Sequence, residues 1–401
     1  MFQFLSHGLS SLFAQSPELA FFLSIGLGFW IGQIKFGTFQ LGGIAGSLVM
    51  AVLISQFGVK MDSDLKIVLF VLFIYAVGYS SGPDFFRSLG RQSLREIMLS
   101  VILAVSGFAT VVGVGRLFHL DKGMAAGLAA GGLTQSAIIG TASSALAELG
   151  LSAAQLQQMQ AHVAAGYAVT YIFGSIGTII FCVDILPFFM RRDMKADALA
   201  AEAVGLPEDV GGETEQRGVV PAATDLVYNM LGVAVGLVIG LVVIRVWGMS
   251  LTLGCGGGAL MSGLLFGWWH RRHAGYGEMP SSVCSFWGNF GLAGFVVVTG
   301  LQTGREAVEV IVHQGVLLLL LGMVVTILPL VITALIGRFF MGYRNVALFA
   351  GALSGARSAN PAFSEVLAKA GNNTPAIPFV ITYAVANVLL TLLGPFIVAF
   401  G

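Results

Sequence analysis

Two apolar stretches of the chain, about 123–150 and 345–370, are each interrupted by a short cluster of small and polar residues. A helix that begins at such a break exposes unpaired N–H groups and the positive end of its dipole, which favours a bound carboxylate. Ser and Thr hydroxyls can cap such a helix or donate to a bound oxygen, and Pro361 suits the first helical turn. The alternative is a glycine-rich crossing point with capped helix ends and no ligand. The candidate binding residues are Thr134, Gln135, Ser136, Arg357, Ser358 and Asn360.

The composition indicates which solvent surrounds these stretches. The chain has 401 residues, of which 56% are hydrophobic and 10% are charged, whereas a soluble domain has about 25% charged residues. We therefore expect the lipid bilayer to be its solvent. A net charge of zero with scattered Lys and Arg argues against nucleic acid as a partner.

The same sequence offers no signature of an enzyme or a nucleotide-driven pump. It lacks a phosphate-binding Gly-x-x-x-x-Gly-Lys-Ser/Thr segment, and no Ser/His/Asp group or paired-carboxylate cluster is evident. The cysteines at 182, 255 and 284 are isolated in apolar runs, so we expect neither a metal site nor a disulfide framework. No cofactor is predicted, and solute gradients are the expected source of energy.

Arg357 adds a permanent cation to the second interrupted stretch. A charge at bilayer depth costs several kcal/mol, so its side chain is expected to face a cavity or a partner rather than lipid. The planar guanidinium suits a carboxylate in bidentate geometry. Two partners remain open, a substrate carboxylate or Glu365 further along the chain. A single fixed cation favours an organic anion over a neutral solute.

Ten segments are apolar and long enough to span a bilayer, which needs about 20 residues. The two interrupted stretches are predicted to be re-entrant hairpins, because irregular backbone at membrane depth survives only where protein or a water-filled cavity surrounds it. Residues 1–15 are predicted to form a short interfacial helix rather than a span. The predicted spans are 18–34, 40–58, 66–81, 95–118, 162–189, 226–247, 251–269, 285–303, 309–337 and 376–400.

The chain contains an internal repeat, since residues 78–137 resemble residues 300–359 at an offset of 222. In this register Gln135 is the counterpart of Arg357, and Ser136 that of Ser358. Five spans in each half invert the second half relative to the first, and membrane proteins with this plan bind solutes near the bilayer midplane. The predicted fold class is therefore an all-α membrane protein with ten transmembrane helices in two inverted five-helix repeats, each with a re-entrant hairpin.

The predicted organisation is a first repeat over 1–190 with hairpin 123–150, a cytoplasmic linker over 191–224, and a second repeat over 225–401 with hairpin 345–370. With both termini outside, thirteen Lys and Arg residues lie in the cytoplasm and six lie outside, as the positive-inside rule requires.

Three weaker signals accompany the repeat. A small-residue pattern at 41–48 and 253–260 predicts close helix packing or, alternatively, a dimer seam. The sequence Tyr167-Ala168-Val169 recurs as Tyr383-Ala384-Val385, which places a tyrosine on the span after each hairpin. The segments 78–86 and 300–306 are predicted either to line a cavity or to be helix ends that lead into interfacial turns. Asp84 is a weak candidate for cation coupling, whereas His162 and His313 at span edges are predicted to be interfacial rather than proton-carrying.

The run Gly82-Pro83-Asp84-Phe85-Phe86 and the paired hairpins resemble the aspartate:alanine exchanger family. The resemblance covers nearly the whole chain, and the general plan is also similar to sodium:glutamate and citrate carriers. Family members have a Thr-Pro pair in each hairpin, where this chain has Ser136-Ala137 and, nearby, Asn360-Pro361. Many also carry large regulatory domains between the halves, for which the segment 191–224 is too short.

The resemblance implies a secondary transporter in the bacterial inner membrane that exchanges or exports small carboxylates such as succinate or aspartate by an elevator-like motion. It is expected to act as a homodimer. A sodium- or proton-coupled symporter for anionic amino acids is the alternative, and a membrane receptor or channel is the rival from another class.

Overall fold

The computed structural model describes residues 10–36, 39–40, 42–88, 93–203, 223–246, 249–252, 254–273 and 275–401. Within them α-helices predominate, and the strands form two short antiparallel hairpins, β1 with β2 and β3 with β4. The elements are α1 (Pro17–Gly32), β1 (Lys35–Phe36), β2 (Phe39–Gln40), α2 (Gly43–Ser55), α3 (Ser63–Ser88), α4 (Leu94–Leu117), α5 (Lys122–Gly132), α6 (Ala137–Ala147), α7 (Ala153–Ile180), a π-helical turn (Phe181–Ile185), α8 (Leu186–Met190), α9 (Met194–Ala203), α10 (Leu226–Gly240), β3 (Val243–Val246), β4 (Met249–Thr252), α11 (Gly254–Arg272), α12 (Ser281–Phe339), α13 (Val346–Ala356), α14 (Asn360–Ala370) and α15 (Ala376–Phe400).

Five helical segments among the described residues are long and apolar enough to cross a membrane, namely Asp64–Pro83, Leu94–Leu117, Ala153–Met190, Ser281–Phe339 and Ala376–Phe400. The predicted spans 18–34, 40–58 and 226–247 correspond to shorter helices, and the span 251–269 corresponds to a helix of equal length that begins three residues later, because β1–β2 and β3–β4 occupy the ends assigned to the spans. Residues 1–9 lie outside the described residues, whereas 10–15 are helical.

Of the two alternatives for segments 78–86 and 300–306, the one that makes them helix ends is wrong. Helix α3 continues through Gly82 and Pro83 to Ser88, and the predicted spans 285–303 and 309–337 belong to the single 59-residue helix α12. Arg305, Glu306 and Glu309 favour helix, which explains why the chain does not leave helical geometry there.

Helix α12 nevertheless folds back on itself. Asn289 lines the same cavity as Thr134, while the Thr326 hydroxyl donates to the carbonyl of Gly132, two residues before Thr134, at 3.0 Å. A straight helix would separate positions 289 and 326 by about 55 Å, far more than these contacts allow. Helix α12 therefore bends between these positions, which divides it into a first leg that contains Asn289 and a second leg that contains Thr326.

Two short helix pairs, α5–α6 and α13–α14, occupy the predicted hairpins 123–150 and 345–370. Their starts lie at opposite ends of α15. Lys122, at the start of α5, donates to the carbonyl of Val398 at 2.7 Å. At the other end, Asp197 accepts from the backbone N–H of Val346, at the start of α13, and the Thr374 hydroxyl donates to the Ala198 carbonyl just before α15.

The predicted linker 191–224 is partly folded. Helix α9 lies within it. Asp197 on this helix is buried, and its carboxylate accepts hydrogen bonds from the Arg192 guanidinium and from the backbone N–H of Val346. Residues 204–222 lie outside the described residues. The first part of this segment is therefore a support for α13 rather than a free connection.

Matching contacts recur in the two halves, but equivalent positions in the two hairpins are 224 residues apart in sequence rather than the predicted 222. Asp121 and Asn345 cap α5 and α13 through side-chain acceptors, and the turns at 131–134 and 355–358 have equivalent hydrogen bonds. The connection before α13 is thus two residues longer than that before α5. By this register the counterpart of Arg357 is Leu133, not Gln135, and Thr134 matches Ser358.

The halves also contact each other reciprocally. Gly78 on α3 lies against the backbone of Leu260 on α11, and Gly300 on α12 lies against Leu48 on α2, the residue equivalent to Leu260 at an offset of 212. A Cβ at Gly78 would lie 2.5 Å from the Leu260 carbonyl oxygen, so only glycine permits this approach. The small-residue pattern at 41–48 and 253–260 therefore includes residues that serve contacts within the chain.

Candidate functional site

The two chain breaks meet at one cavity of about 530 Å³. Five of the six predicted binding residues line it: Thr134, Gln135, Ser136, Ser358 and Asn360. Arg357 is not among the lining residues. The cavity walls come from α3, α7, the first leg of α12 and α15, so the site is built from both halves of the chain.

Both breaks use a left-handed residue that is not glycine. Thr134 has φ of 52° and Ser358 has φ of 56°, a conformation that costs roughly 1–2 kcal/mol for such residues. Each is held by a backbone bond to the preceding helix, from Thr134 to Gly131 at 2.9 Å and from Ser358 to Gly355 at 2.8 Å. The strained positions mark the points where each chain turns towards the cavity.

The N-termini of α6 and α14 point their first turns at this cavity. Ser136 and Ala137 line it at the start of α6, and Asn360, Pro361 and Ala362 line it at the start of α14. Pro361 occupies the first turn, as predicted. Ser136 does not cap α6 through its side chain; its hydroxyl bonds instead with the hydroxyl of Tyr167 at 2.9 Å. The positive ends of two helix dipoles thus converge on one volume.

Asn387 on α15 joins the two breaks. Its Oδ1 accepts from the Ser358 hydroxyl at 2.7 Å and from Gln135 Nε2 at 3.5 Å. Asn360 Nδ2 donates to the Tyr383 hydroxyl one turn earlier on α15, at 3.2 Å. The polar side chains of the site are therefore oriented by α15 rather than by the hairpins alone.

Sequence reasoning missed most of the helical wall. Tyr171 and Ser175 on α7, and Tyr383 and Asn387 on α15, form equivalent pairs four residues apart that line the cavity; Tyr383 therefore matches Tyr171, not Tyr167. The signal was the spacing of polar residues by one turn in otherwise apolar helices. The other missed polar residues are Ser281, Ser285 and Asn289 on α12, also spaced by four.

The segment 78–86 lines the cavity through Ser80 and Ser81, whereas 300–306 does not. The side chain of Asp84 lies outside the described side chains. His313 lies on the exposed middle part of α12, away from the lining residues. The cavity-wall interpretation thus applies to one half of the repeat.

The guanidinium of Arg357 turns away from the cavity into the protein. The residue is fully buried, and its Nη2 donates to the Gly132 carbonyl while Nε donates to the Thr178 hydroxyl at 3.4 Å. No ion pair joins it to Glu365 among the described residues, which contradicts the proposed internal pair. Direct contact with a substrate also lacks support in this conformation, because the side chain caps the carboxyl end of α5.

His162 bonds with Asp121, the capping residue of α5, at the end of the molecule where α15 terminates. Burial alone raises the pKa of Asp121, but hydrogen bonds from His162 and from the Met124 N–H outweigh it and lower that pKa. The pair therefore fixes the outer end of α5 rather than contributing to the cavity wall.

The lining side chains within the described residues are hydroxyl, amide, thiol or apolar groups, without a charge among them. No group of three His, Cys, Asp or Glu residues that could hold a metal ion occurs in the same part of the chain. The described lining thus presents hydrogen-bonding groups and helix N-termini to the cavity.

Several polar lining residues are exposed, among them Ser80, Ser281 and Asn360. Near the start of α3, the buried ammonium of Lys66 donates to Gln160 on α7 at 3.1 Å and to Gln302 on α12 at 3.4 Å. These contacts join α3, α7 and α12 at the end of α3 opposite to Ser80.

Comparison with known proteins gives consistent relatives over the full length. An uncharacterized transporter of Zymomonas mobilis is 43% identical over 555 aligned positions, covering 98% of this chain and 99% of the relative. A Francisella tularensis transporter is 29% identical, with 96% and 97% coverage. An aspartate/alanine antiporter of Tetragenococcus halophilus is 24% identical, with 97% and 98% coverage. These alignments are longer than the 401 residues of this chain, so the relatives contain segments without a counterpart here.

A family model described as a predicted permease membrane region matches residues 20–187 and 228–399, leaving out the segment 188–227 that contains α9 and the predicted linker. Each matched part contains one of the helix pairs that meet at the cavity. With the relatives named as transporters, this match shows that the chain belongs to the aspartate:alanine exchanger family of membrane permeases.

Proposed function

We propose that this membrane transporter exchanges or exports small carboxylates such as aspartate or succinate. The observation that carries the proposal is the convergence of the N-termini of α6 and α14 on one polar cavity. Backbone N–H groups and helix dipoles stabilise a carboxylate without a fixed counter-ion. The relative named as an aspartate/alanine antiporter supports this substrate class.

The proposed binding residues are Thr134, Gln135, Ser136, Ser358 and Asn360, together with Asn387. Donors from the two breaks and from α15 surround the cavity, so a solute with two carboxylates can engage α6 at one end and α14 at the other. A sugar or an amine gains nothing from the two positive helix ends. This difference is the basis of the expected selectivity.

Alternating access is proposed to proceed by an elevator-like motion within two inverted repeats. The opposite entry of α5–α6 and α13–α14 supports inverted repeats, as do the reciprocal contacts of Gly78 and Gly300. With the predicted orientation, in which both termini lie outside and the Arg191 end is cytoplasmic, the exposed lining residue Ser80 lies towards the cytoplasmic end of α3, which supports a state open to the cytoplasm. A bacterial inner-membrane location and a homodimer complete the proposal.

Counterflow in proteoliposomes tests this function. Vesicles loaded with unlabelled aspartate should accumulate labelled aspartate well above vesicles without internal substrate, and succinate should be compared in the same way. Glucose-loaded vesicles are the control, because glucose has no carboxylate. Uptake that does not depend on internal carboxylate would contradict exchange. Uptake that requires an imposed sodium or proton gradient would favour the symporter alternative.

A further inference from the structure

Arg357 has too few partners for a buried cation whose role is only structural. The residue is 0% exposed, and Nη1 has no hydrogen-bond partner among the described residues. The other two nitrogens have neutral partners, the Gly132 carbonyl and the Thr178 hydroxyl. A buried charge normally requires an opposite charge, and no described carboxylate forms an ion pair with this one.

The uncompensated charge lies next to the cavity wall. Ser358, the next residue, lines the cavity, and the Arg357 carbonyl accepts from the lining residue Thr134 at 3.4 Å. The guanidinium contacts the carbonyl of Gly132. Gly132 precedes the lining residue Thr134 by two residues, so their Cα atoms are at most about 7 Å apart. At such separations in a protein interior, a carboxylate in the cavity and a guanidinium in its wall attract each other without touching.

The Gly132 carbonyl, which accepts from the guanidinium, lies at the carboxyl end of α5 and also accepts from the Thr326 hydroxyl. A carbonyl at the break of a helix can coordinate a mobile cation. In this structure the side chain of Arg357 occupies that position. The chain therefore carries its own cation at the point where a transported cation would otherwise bind.

We propose that Arg357 is a built-in counter-cation, neutralised by the carboxylate of a bound solute, so that the loaded site crosses the membrane readily and the empty site does not. This inference rests on the proposed function. It gives a physical reason for exchange rather than one-way release, because the return of an empty site would move an uncompensated charge through the bilayer. It also makes a co-transported sodium ion unnecessary.

The test compares efflux of labelled aspartate from proteoliposomes with and without external unlabelled aspartate. For the parent protein, we expect external substrate to accelerate efflux at least about tenfold, since the cost of a buried charge exceeds the barrier that slows a step tenfold. Arg357→Gln should reduce this ratio towards one, because its empty site is neutral. Arg357→Lys keeps the charge and should keep a high ratio even if both rates fall.

A merely structural Arg357 would give a different pattern. Arg357→Gln would then slow both rates and leave their ratio as in the parent, which would overturn the proposal. If Arg357→Gln does not fold, the parent protein decides: counterflow in choline medium should equal that in sodium medium, and a requirement for sodium would overturn the built-in cation. A parent protein with no acceleration by any external carboxylate would instead refute the proposed function and this inference with it.

Discussion

Replacing Gly355 by Ala should destabilise the protein, because α13 crosses α15 at this residue with no room for a side chain. A Cβ at Gly355 would overlap the Thr382 hydroxyl and would lie 2.7 Å from the Phe379 carbonyl oxygen. The hydroxyl is fixed by its bond to the Pro378 carbonyl at 2.9 Å. The Phe379 carbonyl belongs to the helix backbone and cannot rotate away.

The expected magnitude follows from two opposing effects. An extra carbon in a well-packed interior costs about 1–3 kcal/mol, whereas replacing glycine by alanine inside a helix gains about 0.5–1 kcal/mol. Because the Phe379 carbonyl cannot move aside, the cost should lie near the upper end of its range, and the net loss of unfolding free energy at Gly355 should be about 2 kcal/mol. Gly131 should behave alike, because its Cβ would overlap the Thr170 hydroxyl and lie 2.8 Å from the Tyr167 carbonyl oxygen.

Thermal unfolding of the purified variants in detergent measures this effect. Gly113→Ala on α4 is the matched control, since nothing lies within 4 Å of its Cβ position, and it should be at least as stable as the parent. Adding Thr382→Ala to Gly355→Ala should recover part of the loss, because only the carbonyl overlap remains. Equal stability of Gly355→Ala and the parent would refute the packing argument, as would equal damage by Gly113→Ala.

Three further predictions concern binding, orientation and pH. Ser358→Ala removes the bond to Asn387 and should weaken aspartate binding by about 2- to 12-fold, the equivalent of 0.5–1.5 kcal/mol. A thermal-shift titration measures this affinity, and the control Ser364→Ala, outside the cavity, should leave it unchanged. Equal effects of the two substitutions would refute the proposed site. In a background without native cysteines, Lys60→Cys should react with an impermeant thiol reagent in cells with a permeabilised outer envelope and Glu213→Cys should not; the reverse result would invert the topology. Asp121 has a lowered pKa, so its ionised form stabilises the folded state above the unfolded pKa of about 3.9. That contribution is lost as pH falls through the lower folded value, so the Tm deficit of Asp121→Asn should shrink between pH 6 and about pH 3. A deficit independent of pH would contradict the stabilisation of the Asp121 carboxylate by its hydrogen bonds.

The polar lining at the two breaks was predictable because the residues that form it lie close together in sequence. The polar breaks and Pro361 lie in single short segments, and the predicted hairpins 123–150 and 345–370 closely match α5–α6 and α13–α14. The walls were harder to predict, since one Ser or Asn in an apolar helix is ordinary. The spacing of polar residues by four becomes informative only when several helices are known to face one cavity.

Two errors had longer-range causes. The offset of 222 between the halves holds through Phe118 and Phe340, but the connection that follows is two residues longer in the second half. Equivalent positions in the two hairpins are therefore 224 residues apart, although the identical residues in the sequence align at 222. The direction of Arg357 depends on Gly132 and Thr178, residues about 180–225 positions away in sequence. No property of the segment around Arg357 distinguishes a cation that faces a cavity from one that faces the wall behind it.

The reciprocal glycine contacts also set the order in which the protein can be made. Gly78 reaches its partner Leu260 only after 182 more residues have been synthesised, which takes roughly 10–40 s at typical rates of translation. During that interval the face of α3 around Gly78 lacks the helix against which it packs in the folded protein. Completion of the first half therefore waits for the second, and an isolated first half should be a poorly packed substrate for membrane quality control.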